Sequence, residues 1–264
     1  MGKTVLIFDS GVGGLSIYRE IRASFSGLEY IYAFDNGAFP YGELPQEILI
    51  SRTCGIVGEL CRKHHVDLVV IACNTASTIV LPSLRNQLTV PVVGVVPAIK
   101  PAAAYSKKKS IGLLATPATV SRSYTQQLID AFAWDCDVIK VGSTRLVQIG
   151  EEKLRGKKVN HEEIGQILSP FVGKVDALVL GCTHFPLLRK ELSRVMGEGV
   201  ALVDSGEAIA RRVGSLLDID INKNPDSGKR PGLVFCTAPV YEEQALNVSL
   251  AEQHLSKVKL LTHF

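Results

Sequence analysis

Short, continuous runs of apolar residues alternate with longer segments of mixed polarity along the chain. The first run is Thr4–Phe8, and similar runs recur at 30–34, 67–71, 90–95, 110–115, 137–141, 177–180, 200–203, 233–237 and 258–261. Runs that are apolar throughout predict strands buried on both faces, as in a parallel sheet covered by helices. The pattern therefore predicts an α/β fold with largely parallel sheets.

The segments between these runs predict helices, because their apolar residues return every three or four positions. Helices are predicted at 15–23, 45–64, 99–105, 144–154, 186–196 and 239–254. In the longest of them, the predicted apolar face consists of Ile48, Ile56, Val57 and Leu60.

Two cysteines stand at equivalent points, each two residues after the end of a predicted strand. Cys73 and Cys182 are 109 residues apart (182 − 73), and the strand ends at Asp9 and Thr116 are 107 residues apart (116 − 9). These near-equal offsets predict two copies of one series of strands and helices. We expect two similar α/β domains related by pseudo-twofold symmetry, with both cysteines on the cleft between them.

Composition and charge exclude several classes of protein. The 264 residues carry a net charge of +3 and 6% aromatic residues, and the basic run Lys107–Lys109 is expected to be a solvated loop. Neither a basic surface nor a stacking platform for nucleic acid is indicated. No apolar run is long enough for a membrane span, and no export signal is recognised, so we expect a cytoplasmic protein.

The six cysteines do not form a metal-binding or disulfide pattern. They contain no Cys-x-x-Cys pair, and a zinc site built from Cys73, Cys182 and His184 would lack a clear ligand spacing and a fourth ligand. We expect no metal and assign the other four cysteines, at 54, 61, 136 and 236, to packing.

Two loops after predicted strands are candidates for ligand binding. Asp9 opens a glycine turn that runs to Gly14, where backbone N–H groups suit a phosphate or a small carboxylate. The turn matches neither G-x-G-x-x-G nor a Walker motif, and Asp9 is equally able to cap it. In the second loop, Tyr41 and Gly42 belong either to a plain turn or to a lid with a free N–H group.

Two thiols on opposite sides of one carbon acid can invert its stereocentre by general acid–base chemistry, because one removes a proton and the other delivers one. Asp9 and His184 are candidates to assist the two thiols. Polar groups at the strand ends suit a carboxylate, and they belong to Ser10, Asn74, Thr75 and Thr183. Two alternatives remain, namely a Cys–His nucleophile for acyl or thioester chemistry and two buried packing cysteines.

Several motifs resemble the aspartate/glutamate racemase family. They are Asp-Ser-Gly-Val-Gly-Gly-Leu-Ser at 9–16, Phe-Pro-Tyr-Gly-Glu at 39–43, Ala-Cys-Asn-Thr-Ala-Ser at 72–77, Pro-Val-Val-Gly-Val-Val-Pro-Ala at 91–98 and Gly-Cys-Thr-His-Phe-Pro-Leu-Leu at 181–188. The segments at 33–36 and 202–206 resemble the glutamate-acting form of enteric-type Gram-negative bacteria. The resemblance extends to about residue 217, and the tail after Asp218 is weakly informative.

The resemblance implies cofactor-independent interconversion of L- and D-glutamate, which supplies D-glutamate for peptidoglycan. It implies that Cys73 acts on D-glutamate and Cys182 on L-glutamate, with Asp9 and His184 as assisting groups. It places in the substrate site Ser10, Tyr41, Gly42, Asn74, Thr75, Thr116, Thr119 and Thr183. The resemblance also implies a third assisting carboxylate. It is either Glu151 or Glu152, and the choice stays open because the motif before these residues departs from the family pattern.

The resemblance also implies two α/β domains with the substrate between them. We expect one domain at 1–97 plus 208–264 and the other at 98–207, with a linker at 218–232. A cell-wall precursor is a candidate effector, and the chain is expected to be a monomer or a homodimer. Two other functions stay open, namely racemisation of aspartate and a two-lobed amino-acid sensor.

Overall fold

The computed structural model of the protein describes residues 2–220, 230–262 and 264. The strands found in these residues are Thr4–Asp9 (β1), Glu29–Phe34 (β2), Leu68–Ile71 (β3), Val92–Gly94 (β4), Ser110–Ala115 (β5), Asp137–Gly142 (β6), Ala177–Leu180 (β7), Ala201–Val203 (β8), Gly232–Cys236 (β9) and Leu255–Leu260 (β10). Each predicted strand is present, with ends shifted by a few residues at most.

The α-helices alternate with the strands and return the chain to the start of the next strand. They are Leu15–Ser24 (α1), Gln46–Lys63 (α2), Asn74–Ser77 (α3), Leu81–Gln87 (α4), Ile99–Tyr105 (α5), Pro117–Ser121 (α6), Ser123–Phe132 (α7), Thr144–Leu154 (α8), His161–Leu168 (α9), Arg189–Met196 (α10), Gly206–Leu217 (α11) and Glu243–Ala251 (α12). Three-residue or four-residue 3-10 helices cover Asn36–Ala38, Tyr41–Glu43 and Phe185–Leu188. Within the described residues, no helix is both long and apolar enough to cross a membrane.

The strands form two parallel sheets, which confirms the predicted fold class. One sheet has the order β10-β9-β2-β1-β3-β4, and the other has the order β6-β5-β7-β8. The order β2-β1-β3-β4 thus recurs as β6-β5-β7-β8, so the repeat seen in the spacing of the cysteines is also a repeat of strand topology. β9 and β10 extend the larger sheet beyond β2.

The repeated strand order determines where a ligand site can form. In each sheet the chain leaves the first strand toward one side and later returns on its other side, which creates a topological switch point between β1 and β3 and between β5 and β7. Open α/β sheets bind ligands in the crevice at the carboxyl ends of such strands. The residues at these two crevices are Asp9, Cys73, Thr116 and Cys182.

Apolar side chains cover both faces of each sheet and fix the strands that carry the site. Every residue of β1 is buried, with Val5 and Ile7 packed on one face and Leu6 and Phe8 on the other. Burying one such side chain contributes roughly 1.5–3 kcal/mol relative to leaving it exposed. The strand ends are therefore held on a rigid base, and the loops beyond them supply the functional groups.

Several predicted elements need correction. The predicted helix at 186–196 is a 3-10 turn at Phe185–Leu188 followed by α10, and the predicted helix at 239–254 is only α12. Ile48 is 48% exposed, so it is wrong as a member of the apolar face of α2, where Leu49 is buried instead. The predicted linker at 218–232 lies largely outside the described residues, and the division at 97 and 207 stays a prediction.

Candidate active site

Strand-end residues from both sheets line one cavity. Its lining consists of Asp9, Ser10, Phe39, Pro40, Tyr41, Gly42, Cys73, Asn74, Thr75, Thr116, Val147, Cys182, Thr183 and His184. The two cysteines that the sequence analysis paired are both in this lining, and each is less than a tenth exposed. The cavity therefore unites the carboxyl edges of the two sheets, as the repeat predicts.

The cavity is small in this conformation, at about 20 Å³. Such a volume has room for about one water molecule. A groove of about 480 Å³ is formed by α1, the start of α10 and the start of α11, but its lining contains neither cysteine. The chemistry of the lining, rather than the volume, identifies the small cavity as the candidate site.

Cys73 lies at the amino end of α3 and is surrounded by groups from β1 and the glycine turn. Its Sγ is 3.8 Å from the hydroxyl of Ser10. The Asp9 carboxylate accepts hydrogen bonds of 2.7 Å from the N–H groups of Ser10 and Gly14. Burial and the negative charge of Asp9 raise the pKa of Cys73 well above its ordinary value. Cys73 is therefore held as a neutral thiol, which is the form that can donate a proton.

Burial also raises the pKa of Asp9, and the positive charge of His184 and the two N–H donors offset part of that effect. Asp9 thus combines the two alternatives that the sequence left open, since it caps the glycine turn and also faces Cys73.

Cys182 is the start of a hydrogen-bonded chain that runs through His184 to Glu151. Its Sγ is 3.7 Å from Nδ1 of His184, and Nε2 of His184 is 2.8 Å from Oε1 of Glu151. Burial alone would lower the pKa of His184, but its hydrogen bonds to Cys182 and Glu151 hold that pKa well above 6.5. An imidazolium at this place is a cation that can stabilise a thiolate on Cys182.

Glu151 is stabilised as a carboxylate by donors on several sides. Although burial opposes ionisation, the hydrogen bond to His184 and the charges of His184 and Arg155 lower the pKa of Glu151. The N–H of Val12 in the glycine turn also donates to Oε1 over 2.7 Å. Glu152, the alternative in the sequence, instead forms an ion pair with Arg145.

Hydroxyl and amide groups complete the lining of the cavity. Thr75 lies 3.3 Å from both Thr116 and Thr119, measured between Oγ1 atoms, so segments that follow strands of the two sheets contact each other here. The side-chain nitrogen of Asn74 is buried and has no hydrogen-bond partner. An unsatisfied buried donor costs about 1–3 kcal/mol, so this amide is suited to bind an acceptor in the cavity.

One predicted feature has a different arrangement from the one expected. The glycine turn does not present free N–H groups at Val12 and Gly14, because the carboxylates of Glu151 and Asp9 already occupy them. The hydroxyl of Tyr41 donates to Asp35 over 2.7 Å, so it is not free for a ligand. Tyr41 and Gly42 nevertheless line the cavity, as a lid over it would.

Some residues at the site were missed by the sequence analysis. Asp35 is fully buried and is bound by Arg52, Tyr41 and Thr237, so it holds in place the loop at 36–43, which we call the lid loop. Asp35 follows β2 directly and lies at the same sheet edge as Asp9, and this position could have identified it from the sequence. Thr119, which was predicted, is adjacent to the lining through its bonds to Thr75 and Thr116.

Comparison with known proteins gives the family. The model of the Asp/Glu/Hydantoin racemase family matches residues 7–213, which include both cysteines. The chain belongs to this family. It is 56% identical to a glutamate racemase of Aliivibrio fischeri over 261 residues, covering 99% of this chain and 98% of the relative. It is 55% identical to a glutamate racemase of Vibrio cholerae, covering 98% and 96%.

A solved structure of Escherichia coli glutamate racemase, in complex with L-glutamate and the activator UDP-MurNAc-ala, has the same fold. The two chains superpose with a TM-score of 0.92 at 44% identity, and the match covers 100% of each. The resemblance to racemases of Gram-negative bacteria and the assignment to the racemase class of isomerases are thus confirmed.

Proposed function

We propose that this racemase interconverts L- and D-glutamate by a two-base mechanism in which the protein itself supplies the acid and the base. The observation that carries the proposal is the placement of Cys73 and Cys182, from different sheets, in the lining of one cavity. The glutamate racemases to which the chain is 55–56% identical over nearly their whole length support the choice of substrate.

The unequal settings of the two cysteines suggest the direction of each proton transfer. In the L-to-D direction, Cys182 as a thiolate beside the His184 imidazolium removes the proton from Cα. Cys73, which is held as a thiol, then gives its proton to the opposite face of the same carbon. One S–H bond forms as the other breaks, so the charge balances, and D-glutamate is converted by the reverse sequence.

The remaining groups bind the substrate and stabilise the charge that develops next to Cα. Asn74 contributes an unpaired amide donor, and hydroxyl groups come from Ser10, Thr75, Thr116, Thr119 and Thr183. Preorganised donors of this kind stabilise the carboxylate as it takes up negative charge when Cα loses its proton. Asp9 assists Cys73, and Glu151 assists Cys182 through His184.

We further propose the cellular role that the family resemblance implies. The enzyme would supply D-glutamate for peptidoglycan in the cytoplasm. Its chain would form one domain from 1–97 plus 208–264 and another from 98–207. The Escherichia coli structure holds UDP-MurNAc-ala as an activator. That structure supports a cell-wall precursor as an effector of this protein as well.

Incubation with each enantiomer in deuterated water tests the proposal. Either enantiomer is expected to yield both, with deuterium at Cα, in the absence of pyridoxal phosphate. Racemisation of aspartate at an equal or higher rate would reassign the substrate. If both glutamate enantiomers stay unchanged, with and without a UDP-linked muramyl precursor, the proposed function is wrong.

A further inference from the structure

Arg155 is the next link beyond Glu151 in the chain of contacts from Cys182, and the mechanism above does not use it. It lies directly after the last residue of α8, and its side chain is 10% exposed. Its Nη1 donates to Oε2 of Glu151 over 2.5 Å and to the backbone carbonyl of Glu151 over 2.8 Å. These two bonds fix both the carboxylate and the main chain of the same residue.

A further hydrogen bond of Arg155 reaches the half of the molecule that contains the larger sheet. Its Nε donates over 3.0 Å to the backbone carbonyl of Tyr241, in the connection after β9 of the larger sheet. Arg155 itself follows α8, which belongs to the segment after β6 of the smaller sheet. The guanidinium therefore joins Glu151 to an element of the opposite half, and a flat fork with several donors is suited to such a role.

Glu151 has a matching pair of contacts. Its Oε1 accepts from His184, on the smaller-sheet side, and from the N–H of Val12, on the larger-sheet side. With Oε2 bound by Arg155, both carboxylate oxygens are fixed. His184 and Arg155 contact the carboxylate from its own half, whereas the Val12 donor is present only while the two halves are together.

We propose that Arg155 is a positioning residue that orients Glu151, and through it His184, for proton transfer at Cys182, and that its bond to Tyr241 secures this orientation when the two halves of the cleft are together. The inference rests on the proposed function. It assigns Arg155 no contact with the substrate, so its effect is expected in the rate of proton transfer rather than in substrate binding. A displacement of about 1 Å in a catalytic group can cost about a hundredfold in rate.

The chain contains a matched control on the same helix. Arg145 pairs with Glu152, the neighbour of Glu151, and with Glu163. Its side chain is 41% exposed, whereas that of Arg155 is 10% exposed. Arg145→Met thus removes the same kind of ion pair from α8 without touching the chain of contacts to Cys182.

The test compares Arg155→Met, Arg155→Lys and Arg145→Met in both directions of glutamate racemisation. We expect Arg155→Met to lower kcat by about tenfold to a hundredfold, with KM changed by less than about twofold. Arg155→Lys keeps the charge but loses the fork, so it should restore part of kcat. Arg145→Met should match the parent protein in both constants.

A double variant separates a positioning role of Arg155 from an effect on general stability. If Arg155 acts through Glu151, then Arg155→Met should add no further loss of kcat to Glu151→Gln, because the group that it orients is already neutral. The inference would be overturned if the two losses of kcat multiplied in the double variant. It would also be overturned if Arg155→Met and Arg145→Met had equal kcat values. Should Arg155→Met fail to fold, the kcat of Arg155→Lys against the parent decides the question, and an unchanged kcat rejects it. A parent protein that does not racemise glutamate would instead reject the proposed function.

Discussion

The two cysteines are chemically distinct despite their equivalent positions in the fold. Cys73 faces a carboxylate, Asp9, and burial together with that charge keeps its proton bound. Cys182 faces an imidazole, His184, whose pKa is raised by its partners. In the proposed mechanism for the L-to-D direction, the neutral thiol of Cys73 is the acid, and Cys182, next to a cation, is the base. The asymmetry thus lies in the partners and not in the cysteines themselves.

Replacing either cysteine by alanine should abolish racemisation in both directions, because each direction needs one base and one acid. General acid–base groups contribute about 10²–10⁴-fold, so a loss in this range or greater is expected for Cys73→Ala and for Cys182→Ala. Cys54→Ala, at a half-buried cysteine of α2 outside the cavity, is the control and should retain activity. A Cys73→Ala variant with near-parental turnover would contradict the two-base mechanism.

Glu151→Gln should lower the pKa of His184, because it replaces a buried carboxylate with a neutral amide. The imidazole signals of His184 can be followed by NMR as a function of pH, with the half-exposed His64 as an internal reference. Glu152→Gln is the matched control, since Glu152 pairs with Arg145 and not with His184. An unchanged pKa of His184 in Glu151→Gln would contradict the contact between the two side chains.

The contact between Glu151 and His184 predicts a pH range in which it stabilises the fold most. The folded pKa of Glu151 lies below its ordinary 4.5 and that of His184 lies above its ordinary 6.5. Their joint contribution is therefore complete between about pH 4.5 and 6.5, is lost at lower pH as Glu151 is protonated, and is lost at higher pH as His184 is deprotonated. The difference in unfolding free energy between the parent and Glu151→Gln should be largest in that window, which denaturant titrations at several pH values can check.

At the scale of single elements, the glycine turn after β1 is shaped by the histidine that packs on it. A Cβ added to Gly13 would lie 2.3 Å from Nδ1 of His184. Gly13→Ala should therefore displace the imidazole from Cys182 and lower kcat by about a hundredfold for a shift of about 1 Å. The reason for glycine here is close approach, since no unusual backbone angle is recorded at this position.

Gly165 in α9 is the matched control for Gly13→Ala, because a Cβ added there meets nothing within 4 Å. Alanine in a helix interior is favoured over glycine by about 0.5–1 kcal/mol. Gly165→Ala should thus leave kcat unchanged and raise the free energy of unfolding, as measured by denaturant titration. Equal losses of activity in the two variants would show that the contact with His184 is not the cause.

The strands and the residues at their ends could be predicted from sequence because a buried parallel strand is a continuous apolar run with a polar residue at its end. Asp9, Cys73, Thr116 and Cys182 follow directly from that rule. Helix ends were less predictable, since local signals compete there. Pro186 is a good first-turn residue for a helix, yet the chain forms a 3-10 turn before α10 begins at Arg189.

Contacts between distant segments were not predictable from the residues alone. Glu151 and Glu152 are adjacent on one helix and equally acidic, and only the packing of α8 shows that Glu151 meets His184 while Glu152 meets Arg145. Arg155 likewise appears as an ordinary basic residue after a helix, because its partner Tyr241 is 86 residues away. Such pairings depend on how α8 packs within the smaller half and against the larger one, which no local pattern records.

At the scale of the whole molecule, the small volume of the cavity predicts that the lid loop and the opposite half move apart for a substrate to enter. A volume of about 20 Å³ cannot hold an amino acid of ten non-hydrogen atoms, since it has room for about one water molecule. Gly42 of the lid loop lies against α6 of the opposite half, where an added Cβ would be 3.8 Å from that of Ala118. This spacing is within the range of a disulfide, about 3.5–4.5 Å between Cβ atoms.

A disulfide in the double variant Gly42→Cys and Ala118→Cys should therefore lock the cleft and stop turnover, with activity returning on reduction. The reason is steric, since the bond would join the lid loop to α6 while leaving Cys73 and Cys182 in place. Each single variant, assayed before and after the same oxidant, controls for its own substitution and for damage to Cys73 and Cys182, and the oxidant should not change its activity. Mass spectrometry of peptides can verify which cysteines are joined. Full turnover by the correctly bridged double variant would show that substrate reaches the thiols without separation of the two halves.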